Sequence, residues 1–156
     1  MKKIAVLIIA LIGFAVTLEA QSISKNAIGL RLGDNDGLGT EVNYQRALGD
    51  KNRLEFGLGW RSSNDVTAIK VTGLYQWVFN LDGNFNWYTG LAGGIGQVSS
   101  EDLDNKTIIF AAGDIGIEYD FDMPLLISID FRPELGFGKY QNDVDFDIAL
   151  SLRYQF

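Results

Sequence analysis

The sequence predicts an all-β protein: an eight-stranded antiparallel up-and-down transmembrane β-barrel. The clearest indication is segment 144–156, in which apolar residues alternate without interruption with small or polar ones. Because successive side chains of a strand point to opposite faces, this segment has one apolar face and one polar face. Turn-forming clusters divide the preceding chain into further runs of the same kind. After the first twenty residues, no stretch is long and apolar enough for a transmembrane helix.

The N-terminus is typical of a secretory signal peptide. Lys2 and Lys3 precede an apolar run over 4–16, and residues 17–20 resemble a cleavage region. An uncleaved anchor helix is the alternative, but about thirteen apolar residues are too few to span a bilayer comfortably. We therefore expect residues 1–20 to be a signal peptide and residues 21–156 to form the barrel.

Eight alternating runs follow in order along the mature chain. They cover residues 24–32, 38–45, 53–61, 66–79, 86–96, 109–119, 125–132 and 144–156. The longest connection is expected at 97–105. In the fourth run, Leu74 and Val78 are apolar at positions where the alternation calls for polar residues. Pro133 is expected to end the seventh run at a rim, where the loss of one hydrogen-bond donor is tolerated. An even number of strands, nearly all about nine to fourteen residues long, is what a membrane barrel requires.

Alternation alone does not decide which way the apolar face points. A secreted eight-stranded ligand-binding barrel of the lipocalin type shows the same pattern with the apolar face inward. The polar face combines charges with many glycines, as expected for a narrow lumen, and the chain ends at the last strand. Aromatic residues cluster at one set of strand ends, which is typical of the girdle at a membrane interface. The residues expected in this girdle are Trp77, Phe79, Phe85, Trp87, Tyr119 and Phe121.

The last strand places aromatic residues at the third-last and last positions, Tyr154 and Phe156. With this strand the sequence resembles the small eight-stranded outer-membrane β-barrel proteins of Gram-negative bacteria. It is similar to the group of the OmpA transmembrane domain, OmpX and OmpW-like proteins, in a version of the Bacteroidetes type. The resemblance covers residues 21–156 and rests on pattern more than on identities. The family's usual glycine five positions before the end is replaced by Ser151.

The resemblance implies a place in the cell outer membrane and specific partners there. The barrel would be a monomer surrounded by outer-membrane lipid. Tyr154 and Phe156 would form the signal that the barrel assembly machinery reads during insertion.

The charged residues of the polar face predict ion pairs inside the barrel, because buried charges need partners. If the N-terminus is periplasmic, odd-numbered runs lead towards the outer surface and even-numbered runs lead back to the periplasm. These directions assign the charged residues to two layers of ion pairs. The outer layer is Arg31, Glu41, Lys70, Arg132 and Asp147; the layer nearer the periplasm is Arg53, Glu55, Glu118 and Arg153. Asp130 is expected to pair with a lumen cation as well.

Composition argues against several functions. A net charge of −7 disfavours nucleic-acid binding, and the absence of histidine and cysteine excludes triads, thiol chemistry and histidine-based zinc sites. Carboxylate pairs such as Asp145 with Asp147, or Asp130 with Glu134, are better interpreted as lumen charges than as acid–base catalysts. The acidic cluster 34–36 lacks the glutamate of a calcium loop and is interpreted as a turn. No catalytic, metal or cofactor site is therefore predicted.

The sequence thus favours a non-enzymatic outer-membrane protein with a side-chain-plugged lumen, contributing to envelope structure or surface interaction. A narrow pore or a carrier for small or hydrophobic solutes is the alternative. Eight strands leave an interior just wide enough for side chains to fill, which disfavours an open pore. Short connections weaken a third hypothesis, an adhesin.

Overall fold

Eight strands make up most of the described part of the chain in a computed structural model. The structure describes residues 23–34, 38–63, 66–100, 103–137 and 144–156. The strands are β1 (Asn26–Asp34), β2 (Leu38–Ala47), β3 (Asn52–Ser63), β4 (Val66–Asp82), β5 (Phe85–Ser100), β6 (Leu103–Asp120), β7 (Leu125–Phe137) and β8 (Val144–Gln155). None of these described residues forms a helix long and apolar enough to cross a bilayer. Residues 1–20, the predicted signal peptide, lie outside the described part.

Each strand pairs with its sequence neighbours, and β8 pairs with β1 to close the sheet into a barrel. Every pairing is antiparallel, which confirms the predicted fold class. At the closing seam the backbone N–H of Phe156 donates to the carbonyl of Asn26 over 2.9 Å. We call the rim that holds these two residues the terminal rim, and the other the far rim. Closure pairs every strand on both sides and leaves no free sheet edge.

The outside of the barrel is apolar and its inside is polar. Outward positions carry residues such as Leu91, whose side chain is 65% exposed, and Ile148 on the last strand. Inward positions alternate with them and include Arg132, which is only 1% exposed. This arrangement is the reverse of a soluble ligand-binding barrel, and it is the one that a lipid environment stabilises.

The longest connection was predicted over 97–105, and this prediction is wrong. β5 continues to Ser100 and β6 begins at Leu103, with Gln97 opposite Thr107 and Val98 opposite Lys106. The cluster of polar and acidic residues there suggests a loop in the sequence. Backbone pairing across the hairpin nevertheless extends the sheet through it, with a register shift between Val98 and Ser100.

Pro133 was predicted to end a strand at a rim, and it instead lies inside β7. It pairs with Phe146 of β8, while the ladder between β6 and β7 is interrupted between Ala112–Glu134 and Ile115–Phe131. A proline has no N–H to donate, so the interruption falls on the side that would need that donor.

Leu74 and Val78 interrupt the alternation of polar and apolar residues in β4, because they point inward among polar residues. Both are buried, as are the inward Tyr88, Phe110 and Leu126. The lumen therefore has apolar segments on its wall, and strict polar–apolar alternation fails there without any change in strand register.

Candidate functional site

The centre of the lumen is occupied by Arg132, which extends from β7 towards the opposite wall. Its guanidinium lies 3.3 Å from Glu55 of β3, 3.7 Å from Glu41 of β2 and 3.6 Å from Asp114 of β6. In a ring of eight strands, β3 is the strand diametrically opposite β7. One side chain therefore connects the two sides of the barrel.

Glu55 joins Arg132 to a second arginine nearer the terminal rim. Its other carboxylate oxygen accepts hydrogen bonds from Arg153 at 3.1 Å and from Gln45 at 2.6 Å. Arg153 also donates to Asn43 and to the hydroxyl of Ser128. Both oxygens of this fully buried carboxylate thus have a cationic partner, which is the condition for keeping a charge inside a protein.

A further chain of contacts leads from Arg132 to the other side of the lumen. Asp114, next to Arg132, accepts a hydrogen bond from the amide of Gln76, whose oxygen accepts one from Arg53 at 2.6 Å. Arg53 then forms an ion pair with Glu118 at 2.8 Å. The central cluster therefore runs without a gap from Glu118 to Arg153 through Arg132.

Two smaller groups lie nearer the far rim. Arg31 forms ion pairs with Asp130 at 2.5 Å and with Asp147 at 2.7 Å. Lys70 forms an ion pair with Glu134 at 2.6 Å, and its ammonium lies 5.0 Å from the centre of the Phe110 ring. Arg31–Asp130 and Lys70–Glu134 connect strands that are not neighbours, β1 with β7 and β4 with β7, whereas Arg31–Asp147 joins the neighbours β1 and β8.

Glycines make room for these long side chains. A Cβ placed on Gly57 would lie 2.5 Å from Glu41, and one on Gly116 would lie 2.5 Å from the hydroxyl of Tyr88. Both distances are too short for a real contact. Their missing side chains allow Glu41 and Tyr88 to lie flat against the wall of a narrow interior.

The structure places the ten predicted lumen residues on the inner wall. Nine of them form an ion pair with another of the ten: Arg31, Glu41, Arg53, Glu55, Glu118, Asp130, Arg132, Asp147 and Arg153. The tenth, Lys70, pairs with Glu134. The two predicted layers are not separate, because Glu55 binds Arg132 of one and Arg153 of the other. Sequence reasoning left Asp114 and Gln76 out of the network, whereas Glu134 was interpreted as a lumen charge together with Asp130. Each of them alternates with outward-facing residues along its strand, and this position on the polar face could have placed it in the lumen.

The carboxylates inside the barrel lie against cations. Over the residues that the structure describes, no three carboxylates are grouped as metal ligands. The predicted carboxylate pair Asp130 and Glu134 is split between two cations, Arg31 and Lys70. The turn at 34–36 lies largely outside the described residues.

Comparison with solved structures identifies the fold. The N-terminal barrel domain of Pseudomonas aeruginosa OprF matches with a TM-score of 0.75 at 14% identity, covering 87% of this chain and all (100%) of that domain. Neisserial surface protein A matches with a TM-score of 0.66 at 11% identity, covering 84% of this chain and 94% of that one. The outer-membrane enzyme PagL matches with a TM-score of 0.52 at 9% identity, covering 83% and 99%. No family model matches the chain, and neither does any curated protein sequence.

The chain has the eight-stranded outer-membrane barrel fold. At these identities the likeness extends to architecture alone, and the matched proteins include both an enzyme and proteins not described as enzymes. The fold by itself therefore does not select a function.

Aromatic residues cluster at the terminal rim of the barrel, around the ends of β4, β5, β6 and β8. The predicted girdle residues form ring contacts in pairs: Phe79 stacks on Trp87 at 4.6 Å, and Tyr119 contacts both Phe85 and Phe121 at 4.7 Å. Other pairs at or near this rim are Tyr75 with Trp77 and Tyr154 with Phe156. Such rings, apolar with a polar edge in Tyr and Trp, suit the level of the lipid headgroups.

Proposed function

We propose that this protein is a non-enzymatic integral protein of a Gram-negative outer membrane, with a lumen closed by its own side chains. Its role would lie in envelope structure or in contacts at the cell surface, and not in bulk permeation. The observation that carries the proposal is the Arg132–Glu55 contact, which joins diametrically opposite strands at the middle of the lumen.

The size of the barrel supports closure. Eight strands enclose an interior that side chains can fill. Here arginines fill it at several heights: Arg153, Arg53 and Arg132 are each almost fully buried and reach across to other strands. An ion moving along the axis would have to displace these paired charges, which is costly in a water-poor interior.

The arrangement of the rims supports an orientation and a set of partners. The terminal rim would face the periplasm with its aromatic ring pairs at the lipid interface, and the far rim would face the exterior. Lipid would surround the apolar wall, and a monomer is sufficient because the sheet is closed. Tyr154 and Phe156, at the seam with β1, would be read by the barrel assembly machinery.

A narrow pore or a carrier for small solutes is the second candidate. One observation favours it: several buried polar atoms of the lumen, including the hydroxyls of Thr72, Tyr88 and Ser151, have no hydrogen-bond partner. Water would satisfy these groups, and a continuous line of water along the axis is what a pore requires. Enzymatic activity is disfavoured because the sequence holds no histidine and because the lumen carboxylates of the ion pairs lie against cations.

Reconstitution into planar bilayers tests the proposal. The folded protein should show no persistent conductance, whereas the double variant Arg132→Ala/Glu55→Ala should conduct, because the contact between opposite walls is removed. Arg46→Ala, at an exposed position on the terminal rim, is the control and should remain closed. Stable single-channel steps from the unmodified protein would favour the pore instead.

Cell fractionation tests the location independently. The mature chain should be recovered with outer membranes, and it should migrate faster on a gel when unheated than when boiled, since a closed barrel keeps its shape in detergent. Recovery as a soluble periplasmic protein would contradict the membrane assignment.

A further inference from the structure

A cavity of about 90 Å³ opens inside the far rim, above the ion pairs of the lumen. Small residues create the space, since Gly33, Gly39, Gly59 and Ala68 line its wall. By the measure that one water needs roughly 10–15 Å³, the cavity has room for roughly six to nine water positions. It is therefore large enough for a compact organic molecule and too small for a sugar chain or a peptide.

Two carboxylates that line this cavity each have one oxygen that accepts no hydrogen bond. Glu41 is 4% exposed, and its Oε1 has no hydrogen bond, with its nearest cation, Arg132, 3.7 Å away. Asp147 is also 4% exposed; Arg31 occupies its Oδ2, whereas its Oδ1 has no partner. A buried acceptor without a donor is costly, so both oxygens favour a ligand that carries N–H groups or a positive charge.

The same cavity holds a cation that has no partner among the described residues. Arg61 forms none of the ion pairs or hydrogen bonds seen in the described part of the chain, and its Nε is buried without an acceptor. The guanidinium lies across Gly39, where a Cβ would be 2.8 Å from one of its terminal nitrogens. The missing side chain of Gly39 thus allows the Arg61 side chain to lie along the wall of the cavity.

Arg61 and Glu41 have opposite charges and line one cavity, yet they do not form an ion pair with each other. A simple anion at Arg61 would lie beside the carboxylates of Glu41 and Asp147. A simple cation at those carboxylates would be repelled by Arg61 and by Arg31 and Lys70, which also line the cavity. A molecule that carries both charges, a short distance apart, satisfies both sides at once.

We propose that the far-rim cavity is a binding site for a small zwitterion, with the ammonium group at Glu41 and Asp147 and the carboxylate group at Arg61. Compact free amino acids belong to this class. The site goes beyond the structural role proposed above and does not require a pore. Its geometry holds for the folded barrel in detergent, whichever way the barrel is oriented in a membrane.

The test uses the folded full-length mature barrel in detergent and the N–H signal of the Arg61 side chain in proton–nitrogen NMR spectra. The variant Arg61→Gln identifies that signal by its disappearance. The probes are glycine and β-alanine, with acetate, methylammonium and glycerol as controls for charge and polarity. We expect the Arg61 signal to shift saturably with glycine or β-alanine and to stay in place with the three controls.

Two variants examine the other parts of the site. Glu41→Gln should weaken binding about tenfold or more, which is the loss expected for one charge-assisted contact. Ala68→Leu should abolish binding by filling the cavity, whereas Ala111→Leu, the same change on the outer wall, should leave it unaltered. Heat-dependent gel migration shows that each variant is folded.

Several results would overturn the proposal. A shift of equal size with acetate would reduce the site to a single arginine on a charged surface. Equal affinity in Glu41→Gln would remove the carboxylates from the site. Absence of any shift in the unmodified folded barrel would mean that the cavity holds only water.

Discussion

Replacing Arg132 by methionine removes the charge at the centre of the lumen while keeping a side chain of similar length. The three carboxylates around it lie at 3.3, 3.6 and 3.7 Å, and only the contact with Glu55 is short enough to be a hydrogen bond. The loss therefore comes mainly from buried charges left without a partner. Removing one member of a buried pair costs about 3–5 kcal/mol. We expect the unfolding equilibrium to change by roughly two to four orders of magnitude.

Glu55 would retain Arg153, but Glu41 and Asp114 would lose the cation nearest to them. The free energy of unfolding is measured by urea titration of the barrel in lipid vesicles. Tryptophan fluorescence follows the transition, and heat-dependent gel migration reports the folded fraction. Both readings should move to lower urea together, because the barrel unfolds as one closed sheet.

Arg46→Met provides the matched control. Arg46 is exposed at the terminal rim and its guanidinium donates to the side-chain oxygen of Asn26 at 2.7 Å, so its removal should cost about 1 kcal/mol or less. Lys51, in an exposed turn, is a second position where little change is expected. If Arg132→Met cost no more than Arg46→Met, the lumen charges would be solvated and the closed cluster would be the wrong description.

Two further changes separate assembly from packing. Phe156→Ala should lower the yield of barrel inserted by the assembly machinery, measured as the heat-modifiable fraction in outer membranes; an unchanged yield would show that the terminal aromatic residue is incidental. Gly116→Val should destabilise the barrel by about 1–3 kcal/mol, because its side chain would collide with Tyr88. Gly93→Val, on the outer wall with ordinary contact distances, should be tolerated in the same urea titration, and equal losses at both glycines would contradict the crowded lumen.

The sequence predicts the strands well because their signal is local. Alternation over 144–156 corresponds to β8, and the eight runs correspond to the eight strands of the barrel. The predicted loop at 97–105 failed because polar and acidic residues are common in loops but also tolerated in a hairpin that extends beyond the apolar band. The prediction that Pro133 ends a strand also failed. A barrel strand tolerates a proline where its pairing with one neighbour is interrupted, because it stays paired with the other neighbour.

The sequence predicts which residues face the inside of the barrel, but it does not predict which of them contact each other. Parity along each strand is enough to place Arg132 and Glu55 inside, and it would have placed Asp114 there too. Which arginine reaches which carboxylate depends on the stagger between strands and on the width of the lumen. Arg132 and Glu55 are 77 positions apart in the sequence and meet only because a ring of eight strands sets β7 opposite β3.

The glycines show how the two faces of one strand obey different constraints. On β5, Gly94 points inward, where a Cβ would collide with the Phe110 ring, while its neighbour Gly93 points outward with room to spare. Glycine is required at position 94 because the Phe110 side chain takes up the space in the narrow lumen. Packing within the barrel does not require glycine at position 93. The arrangement of side chains inside this barrel therefore depends on the inward-facing glycines as much as on the charged residues. The far-rim cavity is the place where Gly33, Gly39 and Gly59 lie together and the charges beside them do not fill the space.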